Sequence, residues 1–238
     1  MNKPMNEGYI KEIFFSYQGE GLHAAEPQVF IRFSGCNLSC KYCDTPASQK
    51  QLKTDSMDLD AVIRSVRKLS KKHRTKNISI TGGEPLCQPG FLIKLVKRLK
   101  FLKYSIYLET NSTYPSILKK IIRYIDVISA DIKTYSACNK HLLPIHKKFI
   151  KICLLNNKPV FIKLVITDKT TFAEIKNIIK MIKSLNAKIP LVIQPVTPVN
   201  EINLPEIKLF SGFVDYIRKK IYNVYIIPQL HKLLWNIK

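Results

Sequence analysis

Three cysteines near the amino terminus form the most informative chemical pattern in the sequence. Cys36, Cys40 and Cys43 make a C-x₃-C-x₂-C motif in a loop that also contains asparagine and serine. Three thiolates at this spacing can wrap one face of a compact inorganic core. A structural zinc site commonly takes four ligands in two separated pairs, whereas three cysteines on a [4Fe–4S] cluster leave one iron open. The motif therefore favours an iron–sulfur cluster, with zinc and a metal-free loop as the alternatives.

Polar motifs also recur where predicted strands end. They are Thr81–Pro85 (sequence TGGEP), Glu109–Asn111, Asp131, Lys133 and Gln194. In parallel α/β folds the chemistry lies at the carboxyl ends of the strands. We therefore expect these segments to meet the cysteine loop in one shared site.

The segments that must position these motifs alternate between strand and helix patterns. The predicted strands are residues 9–15, 29–33, 78–80, 105–108, 126–130, 160–166, 191–193 and 224–227. The predicted helices are residues 59–69, 91–102, 115–122, 138–155, 172–185 and 205–221. Asp55 or Ser56 is expected to cap the first helix, and Pro144 to break or kink the fourth. This alternation predicts an α/β fold, a partial (β/α)₆ TIM-like barrel with an open parallel sheet and outer helices, in one domain over residues 1–238.

The composition excludes several broad classes of protein. Of 238 residues, 46% are hydrophobic and 24% are charged, which is ordinary for a folded domain and excludes extensive disorder. No apolar run reaches the roughly 18 residues of a membrane span, and the amino terminus lacks a signal-peptide pattern. A cytoplasmic protein without membrane contact is therefore expected.

The net charge of +22 comes from 39 basic and 17 acidic residues, and 32 of the basic residues are lysine. Such a charge suggests an acidic partner, although an A+T-rich coding sequence produces the same lysine excess. Arginine is the residue that most often reads bases and phosphates, so only seven arginines argue against direct nucleic-acid binding. The basic segment Arg64–Arg74 is expected to be a solvated helix face or a docking surface for an acidic reductant.

Together, the cysteine motif and the TGGEP segment resemble those of the radical S-adenosylmethionine (SAM) superfamily. In that superfamily the three cysteines hold a [4Fe–4S] cluster whose open iron binds the amino and carboxylate groups of SAM. An electron from the cluster then cleaves SAM and yields a 5′-deoxyadenosyl radical. The resemblance implies that Cys36, Cys40 and Cys43 bind the cluster, that Gly83 contacts SAM, and that a flavodoxin or ferredoxin supplies the electron. Because the radical derives from SAM, no separate catalytic side chain is assigned.

Within this superfamily, the flanking segments resemble those of the 7-carboxy-7-deazaguanine synthases of queuosine and deazapurine pathways. These segments are Ser16–Gly21, Pro27–Leu38, Cys43–Thr45 and Pro228–Lys232. The resemblance implies a lyase that converts 6-carboxy-5,6,7,8-tetrahydropterin to 7-carboxy-7-deazaguanine with loss of ammonia. It also implies a homodimer, because members of this family often form dimers.

The same resemblance implies roles for individual residues. The hydroxyl of Thr45 would ligate Mg²⁺, a hard ion that prefers oxygen. The residues implied to bind the pterin substrate are Tyr17, Gln18, Gly19, Arg32, Thr81, His231 and Lys238. Besides Gly83, the residues implied to bind SAM are Ser129, Asp131, Lys133, Gln194, Pro195, Val196 and Thr197.

Two other functions remain compatible with the sequence. An activating enzyme for a glycyl-radical enzyme would use the same cluster and SAM cleavage, and such enzymes share the D-x-K pattern of residues 131–133. A zinc- or RNA-binding module would account for the charge and the cysteines but not for the TGGEP segment. The isolated cysteines, predicted to be buried apolar side chains, are Cys87, Cys138 and Cys153. The histidines predicted to be solvated are His73, His141 and His146.

Overall fold

The structure of the chain is a computed structural model that describes residues 6–199 and 201–235. Its strands are β1 (Glu7–Tyr17), β2 (Pro27–Phe33), β3 (Ser56–Asp58), β4 (Asn77–Gly82), β5 (Ser105–Thr110), β6 (Val127–Ile132), β7 (Val160–Ile166), β8 (Leu191–Pro195) and β9 (Val224–Ile226). Its helices are α1 (Leu59–His73), α2 (Pro89–Phe101), α3 (Pro115–Ile121), α4 (Tyr135–Cys138), α5 (Leu143–Leu155), α6 (Phe172–Leu185), α7 (Ile207–Arg218) and α8 (Leu230–Trp235). Within these described residues, each helix lacks either the length or the apolar run that crossing a bilayer would require.

The nine strands of the described residues form one sheet in the order β3-β1-β2-β4-β5-β6-β7-β8-β9. From β2 to β9 neighbouring strands are parallel, whereas β1 runs antiparallel to both β2 and β3. The order ends in two separate edges, so the predicted open α/β architecture is confirmed. Side chains from β1, β2 and β4 to β8 line a single cavity, which requires the sheet to curve as a partial barrel does.

The central strands alternate between an apolar outer face and a largely polar inner face. In β6, Ile128, Ala130 and Ile132 enter the main core beneath the helices, whereas Ser129 and Asp131 line the cavity. Successive side chains of a strand point to opposite faces, so one short segment can serve packing and chemistry together. The core thus lies between the sheet and the helices, and the inner face remains available for a site.

The start of α1 differs from the sequence prediction. Asp58 caps the helix, since its carboxylate accepts a hydrogen bond of 2.8 Å from the N–H of Ala61. The prediction that Asp55 or Ser56 is the cap is wrong, because residues 56–58 pair with β1 as the edge strand β3. Asp55 instead accepts a hydrogen bond of 2.6 Å from the hydroxyl of Ser34.

The segment predicted as one helix over residues 138–155 is interrupted: Cys138 ends α4, residues 139–142 are not helical, and α5 follows. The break begins at Asn139. This asparagine has a left-handed φ of 54°. Pro144 lies in the first turn of α5, where proline is well tolerated, so it starts the helix instead of kinking it. As a result His146 faces inward, is fully buried, and accepts a hydrogen bond of 3.3 Å from the N–H of Lys133. The prediction of a solvated His146 is therefore wrong.

The remaining isolated cysteines and histidines give a mixed outcome. Cys153 is buried as predicted, but Cys87 and Cys138 are half-buried. Each of these two thiols makes a hydrogen bond to a protein oxygen atom, so neither behaves as a purely apolar side chain. His141 is exposed as predicted, whereas His73 is half-buried and stacks on an aromatic ring of β1.

Candidate functional site

The carboxyl ends of the parallel strands surround a cavity of about 440 Å³. The predicted site residues that line it are Tyr17, Gln18, Gly19, Arg32, Cys36, Cys40, Cys43, Thr45, Thr81, Gly83, Ser129, Asp131, Lys133, Gln194, Val196 and His231. Pro195 and Thr197 are not among its lining residues, because neighbours along an extended chain point to opposite faces. Lys238 lies outside the described residues. Segments that are distant in sequence therefore meet in one place.

The cysteine loop follows β2 and is held by the segment that comes after it. The N–H of Cys36 donates to the carbonyl of Gln49 at 3.0 Å. Cys36, Cys40 and Cys43 are half-buried free thiols, and all three line the cavity. Burial raises the pKa of the Cys36 thiol to about 11. Metal ligation, which deprotonates thiols, is therefore what would turn this group into a thiolate.

Two asparagines tie the cysteine loop to the end of β5. Asn111 Nδ2 donates to Asn37 Oδ1 at 2.9 Å, and Asn37 Nδ2 donates to the hydroxyl of Thr113 at 2.9 Å. The same Asn111 nitrogen lies 3.9 Å from the sulfur of Cys36. The backbone nitrogen of Leu38 lies 3.4 Å from the same sulfur. Hydrogen bonds to sulfur are one means by which proteins tune iron–sulfur clusters. The surroundings of this thiol therefore suit a cluster ligand.

The TGGEP segment leaves β4 through two glycines that have different physical roles. Gly82 has a φ of +133°, and a Cβ there would overlap the backbone of Phe33. At Gly83 a Cβ would overlap the carbonyl of Gly35 and lie 2.6 Å from the carbonyl of Ser48. Both glycines allow the end of β4 to pack directly against the backbone of the cysteine loop and its neighbouring segment.

Glu84 is fully buried and joins the ends of β4 and β5. Its carboxylate accepts hydrogen bonds from the hydroxyl of Thr110 at 2.9 Å and from the N–H groups of Asn111 and Leu86 at 2.7 and 3.0 Å. Burial raises the pKa of Glu84 to about 7, and the backbone donors limit this rise. These hydrogen bonds occupy its carboxylate, and Glu84 is not among the residues that line the cavity. Glu84 therefore positions the lining residues rather than contacting a ligand.

Four charged side chains form a buried chain in the cavity, which we call the charge chain: Glu20, Lys163, Asp131 and Lys133. Lys163 contacts Glu20 and lies 3.2 Å from Asp131 Oδ2, and Lys133 lies 2.9 Å from the same oxygen. Burial is the largest single influence and lowers the pKa of both lysines, but the surrounding acidic groups, Asp131 first among them, together outweigh burial and hold both pKa values well above the ordinary one. Both lysines are therefore cations inside the protein.

The carboxyl-terminal segment closes one side of the cavity through Glu20. Gln229, just before α8, donates to Glu20 at 2.6 Å. Burial raises the pKa of Glu20, but the charge and hydrogen bond of Lys163, with the hydrogen bond of Gln229, lower it to about 2. Gly19 packs so closely on the imidazole of His231 that a Cβ would overlap the ring. Residues 19 and 20 are thus in direct contact with Gln229 and with His231 of α8.

A second carboxylate, Glu109 at the end of β5, connects the turn after β1 to two residues of β4. It accepts hydrogen bonds from Gln18 Nε2 at 2.8 Å, from the hydroxyl of Ser79 at 3.2 Å and from that of Thr81 at 3.0 Å. Gln18 and Thr81 are both predicted substrate residues. Glu109 therefore fixes their orientation and lines the cavity itself.

Arg32 reaches the same cavity from β2. Its Nε donates to Glu12 at 2.6 Å, and its guanidinium carbon lies 5.3 Å from the centre of the Phe14 ring. A guanidinium carries five N–H donors, so the bond to Glu12 uses only one of them. The remaining donor capacity suits a carboxylate ligand.

Sequence reasoning did not assign four residues that the structure brings into the site: Glu20, Glu109, Lys163 and Gln229. The sequence pattern that identifies Lys163 is a single lysine within the apolar strand VFIKLVI, since a buried charge needs a partner. Glu20, Glu109 and Gln229 belong to segments that the sequence analysis had already singled out. The hydrogen bonds of Gln229 to Glu20 and Asp44 depend on tertiary folding, so no local pattern predicts them.

The residues present fit a cluster and a polar cofactor. Asp131 Oδ1 and Gln194 Oε1 are buried acceptors without a partner among the described residues. An unpaired buried acceptor is unfavourable, so these atoms suit the donor groups of a polar ligand such as SAM. Three free thiols lie in the same cavity. This donor set matches a three-cysteine cluster with an open iron.

Comparison with known proteins agrees with this geometry. A family profile of the Radical SAM superfamily matches residues 30–196. The chain is similar to proteins named 7-carboxy-7-deazaguanine synthase from Geobacter sulfurreducens (34% identity, 98% of this chain and 99% of the relative), Methanopyrus kandleri (31%, 94% and 92%) and Methanospirillum hungatei (35%, 94% and 84%).

Two solved structures have a similar fold. QueE from Escherichia coli superposes with a TM-score of 0.64 at 16% identity, covering 92% of this chain and 93% of that one. A domain of pyruvate-formate lyase-activating enzyme from Bacteroides vulgatus gives 0.51 at 17% identity, covering 62% and 96%. At these identities the similarity concerns the fold alone. The family relationship therefore rests on the sequence matches.

Proposed function

The chain belongs to the radical SAM superfamily and, within it, to the family of 7-carboxy-7-deazaguanine synthases; from this premise we propose that it converts 6-carboxy-5,6,7,8-tetrahydropterin to 7-carboxy-7-deazaguanine with loss of ammonia. The chain is a radical SAM enzyme of the lyase class. The observation that carries the proposed reaction is the meeting of the cysteine loop, the TGGEP segment and the carboxylates of Glu20 and Glu109 in one cavity.

The superfamily implies a [4Fe–4S] cluster and SAM, and the three cysteines of the loop would hold the cluster. When bound, cluster and SAM together supply a carbon-centred radical that can take a hydrogen atom from the substrate. The unpartnered oxygens of Asp131 and Gln194 would accept hydrogen bonds from SAM, and the close approach at Gly83 would place backbone groups beside it. The other lining residues proposed to contact SAM are Ser129, Lys133 and Val196.

The proposed pterin needs both hydrogen-bond acceptors and a cation. The N–H groups of its rings can donate hydrogen bonds to Glu20 and Glu109. Its carboxylate can accept hydrogen bonds from the planar guanidinium of Arg32. The other residues proposed to contact it are Tyr17, Gln18, Gly19, Thr81 and His231. A cavity walled on several sides would also keep water away from a reactive intermediate.

A magnesium ion at Thr45 is a further part of the proposal. Thr45 and its neighbour Asp44 both line the cavity and offer oxygen atoms, which Mg²⁺ prefers. Magnesium sites usually combine one or two carboxylates with oxygens of the substrate, so the pterin carboxylate would complete this one. The group of Glu20, Asp44 and His231 is a poorer candidate, because His231 offers nitrogen rather than oxygen and Glu20 is already held by Lys163 and Gln229.

Other features of the chain support proposals on its domain organisation, cellular compartment, oligomeric state and partners. The single continuous sheet supports one radical SAM domain over residues 1–238. Six free cysteines suit the reducing cytoplasm. The exposed apolar side chains Tyr222, Tyr225 and Ile226 at the edge strand β9 support a homodimer, since a second copy would cover them. We propose a flavodoxin- or ferredoxin-type reductant and no nucleic-acid partner.

An anaerobic turnover assay tests the proposed reaction. Protein reconstituted with iron and sulfide receives SAM, dithionite, Mg²⁺ and carboxytetrahydropterin, and mass spectrometry follows the products. Wild type should form carboxydeazaguanine, and Cys40→Ala should form none and hold less iron. The matched control is Cys138→Ala, whose half-buried thiol lies on α4 and donates to the carbonyl of Thr134. It should keep its iron and its activity.

The possible products separate the proposed reaction from its alternatives. Formation of 5′-deoxyadenosine without carboxydeazaguanine would contradict the substrate and direct attention to a glycyl-radical partner. Absence of iron in the reconstituted wild type would contradict the cluster itself.

A further inference from the structure

Lys163 interrupts an otherwise apolar strand. The other residues of β7 are valine, phenylalanine, isoleucine and leucine, and alternation along the strand turns Lys163 and Val165 toward the cavity. The lysine is only 9% exposed. An ammonium group in such a position carries a large desolvation penalty unless partners compensate it. Packing alone therefore gives no reason for a lysine here.

Lys163 holds two carboxylates at once. Its Nζ contacts Glu20, from the turn after β1, and lies 3.2 Å from Asp131 Oδ2, its register neighbour on β6. Glu20 also accepts a hydrogen bond of 2.6 Å from Gln229, which lies two residues before the proposed pterin residue His231, and one of 3.3 Å from Gln194, a proposed SAM residue. Asp131 lies 2.9 Å from Lys133, another proposed SAM residue. The lysine therefore joins the two halves of the site through ion pairs, whereas Gln194 adds one longer, neutral contact.

The Asp131 half of the charge chain is connected to the cysteine loop. Lys133 also donates to the hydroxyl of Tyr42, which lies between Cys40 and Cys43, at 3.3 Å. Both lysines of the charge chain contact Oδ2 of Asp131, while Oδ1 is buried without a partner among the described residues. Under the proposed function, a donor group of SAM is the ligand for this free oxygen.

We propose that Lys163 is a positioning residue that couples binding of the pterin to binding of SAM. It acts through the two carboxylates: a ligand that engages Asp131 fixes Lys163, and Lys163 in turn fixes Glu20 on the pterin side. Each ligand thereby orders a group that the other one needs, which is a coupling free energy between two sites. This inference rests on the proposed function, because it takes these two molecules as the ligands.

The coupling can be measured without turnover. Reconstituted enzyme is kept anaerobic without reductant, and the Kd of carboxytetrahydropterin is determined with and without saturating SAM. In wild type, SAM should tighten pterin binding by about fivefold or more, within the usual range of coupling between sites. Lys163→Met should bring the ratio of the two Kd values close to one. Lys163→Arg, which keeps the charge, should retain part of the coupling.

The matched control removes a lysine of another ion pair. Lys100 lies 2.9 Å from Asp126 and is not among the residues that line the cavity, so Lys100→Met should keep the wild-type ratio. If Lys163→Met does not fold, the same measurement is made on Lys163→Gln, whose shorter, neutral side chain removes the charge that holds both carboxylates, so its ratio should also fall toward one. A wild-type ratio in whichever of these two neutral variants folds would overturn the proposal and leave Lys163 as a structural counter-ion.

Two further results separate this inference from the proposed function. A ratio near one in wild type would overturn the coupling, even if wild type forms carboxydeazaguanine in the turnover assay. Failure of wild type to form that product would contradict the proposed reaction, whatever the binding ratio. Loss of coupling in Lys163→Met with product formation in wild type would support both.

Discussion

The two ends of the same sheet treat polar side chains in different ways. At the amino end, Asp126 is half-exposed and pairs with Lys100 at 2.9 Å. It also accepts a hydrogen bond of 2.7 Å from the N–H of Ile106, so both contacts stabilise the start of the neighbouring strand β5 and its preceding helix. At the carboxyl end, Asp131 is buried between two lysines and keeps one oxygen without a partner among the described residues. Polar side chains at the amino end of the sheet therefore stabilise the fold, whereas those at the carboxyl end remain available to ligands.

The positive charges differ between the two ends as well. The basic segment Arg64–Arg74 runs along α1 toward the amino end of β4. The six residues of β4 rise about 3.3 Å each, so the end of this segment lies ~20 Å from the cysteine-loop end of the sheet. By contrast, Lys41 lies within the cysteine loop, and Lys140 donates to the carbonyl of Asn37 at 3.0 Å. The exposed lysines nearest the cluster ligands are thus not those of α1.

Among substitutions at the carboxyl end of the sheet, Gly83→Ala is expected to cause the largest loss of activity. The new methyl group would overlap the carbonyl of Gly35, a backbone atom that cannot yield easily. Displacing the cysteine loop by about 1 Å can lower a rate by about a hundredfold. Gly90→Ala is the matched control, because a Cβ there meets no atom within 4 Å. Comparable kcat/KM values for the two variants in the turnover assay would contradict the role given to this close approach.

A smaller effect is expected from the buried histidine at the carboxyl end. Burial lowers the pKa of His146 from 6.5 to about 4, so the unfolded chain binds more protons than the folded one between these values. This contribution to stability is therefore complete above pH 6.5 and is lost as the pH drops toward 4, by roughly 3 kcal/mol in total. The raised pKa of Glu84 contributes with the opposite sign between 4.5 and about 7. Urea unfolding across this range should therefore show the His146 contribution as a difference between wild type and a variant that lacks the imidazole.

Two variants test the assignment of this acid loss to His146. His146→Gln should lose less unfolding free energy on acidification than wild type does, because glutamine does not titrate and the opposite contribution of Glu84 remains. The control His141→Gln, exposed on the same segment, should keep the wild-type slope. An unchanged slope in His146→Gln would show that another group causes the loss.

The smallest expected effect concerns the reductant. If an acidic flavodoxin docks beside the cluster, Lys41→Glu with Lys140→Glu should slow cluster reduction by up to about tenfold at low salt, and less at high salt. Lys71→Glu with Lys72→Glu changes the net charge equally at the far end of α1 and should leave the rate unchanged. Stopped-flow reduction of the cluster measures both double variants, and dithionite-driven turnover of each shows that the site is intact. Slowing by the α1 variant alone would reverse the assignment of the docking surface.

The sequence alone determined the architecture, the cysteine loop and the family. Alternating periodicities and the C-x₃-C-x₂-C and TGGEP motifs are local patterns, and the carboxyl ends of parallel strands must share one edge, so the meeting of the cysteine loop with Thr81, Asp131 and Gln194 was predictable. The errors were also local: Asp58 replaces Asp55 or Ser56 as a cap, because pairing of β3 with a distant strand overrides a capping pattern.

Only the tertiary structure decided how the charges are paired. Glu20 and Lys163 are separated by 143 positions in the chain, and Glu20 and Gln229 by 209, so no sequence window contains either pair. The burial of His146 likewise depends on how α5 packs rather than on its neighbours in the sequence. Spacing specifies which chemistry a segment can do, whereas the partner that holds a buried charge is set by the curvature of the sheet, which brings the strand ends together.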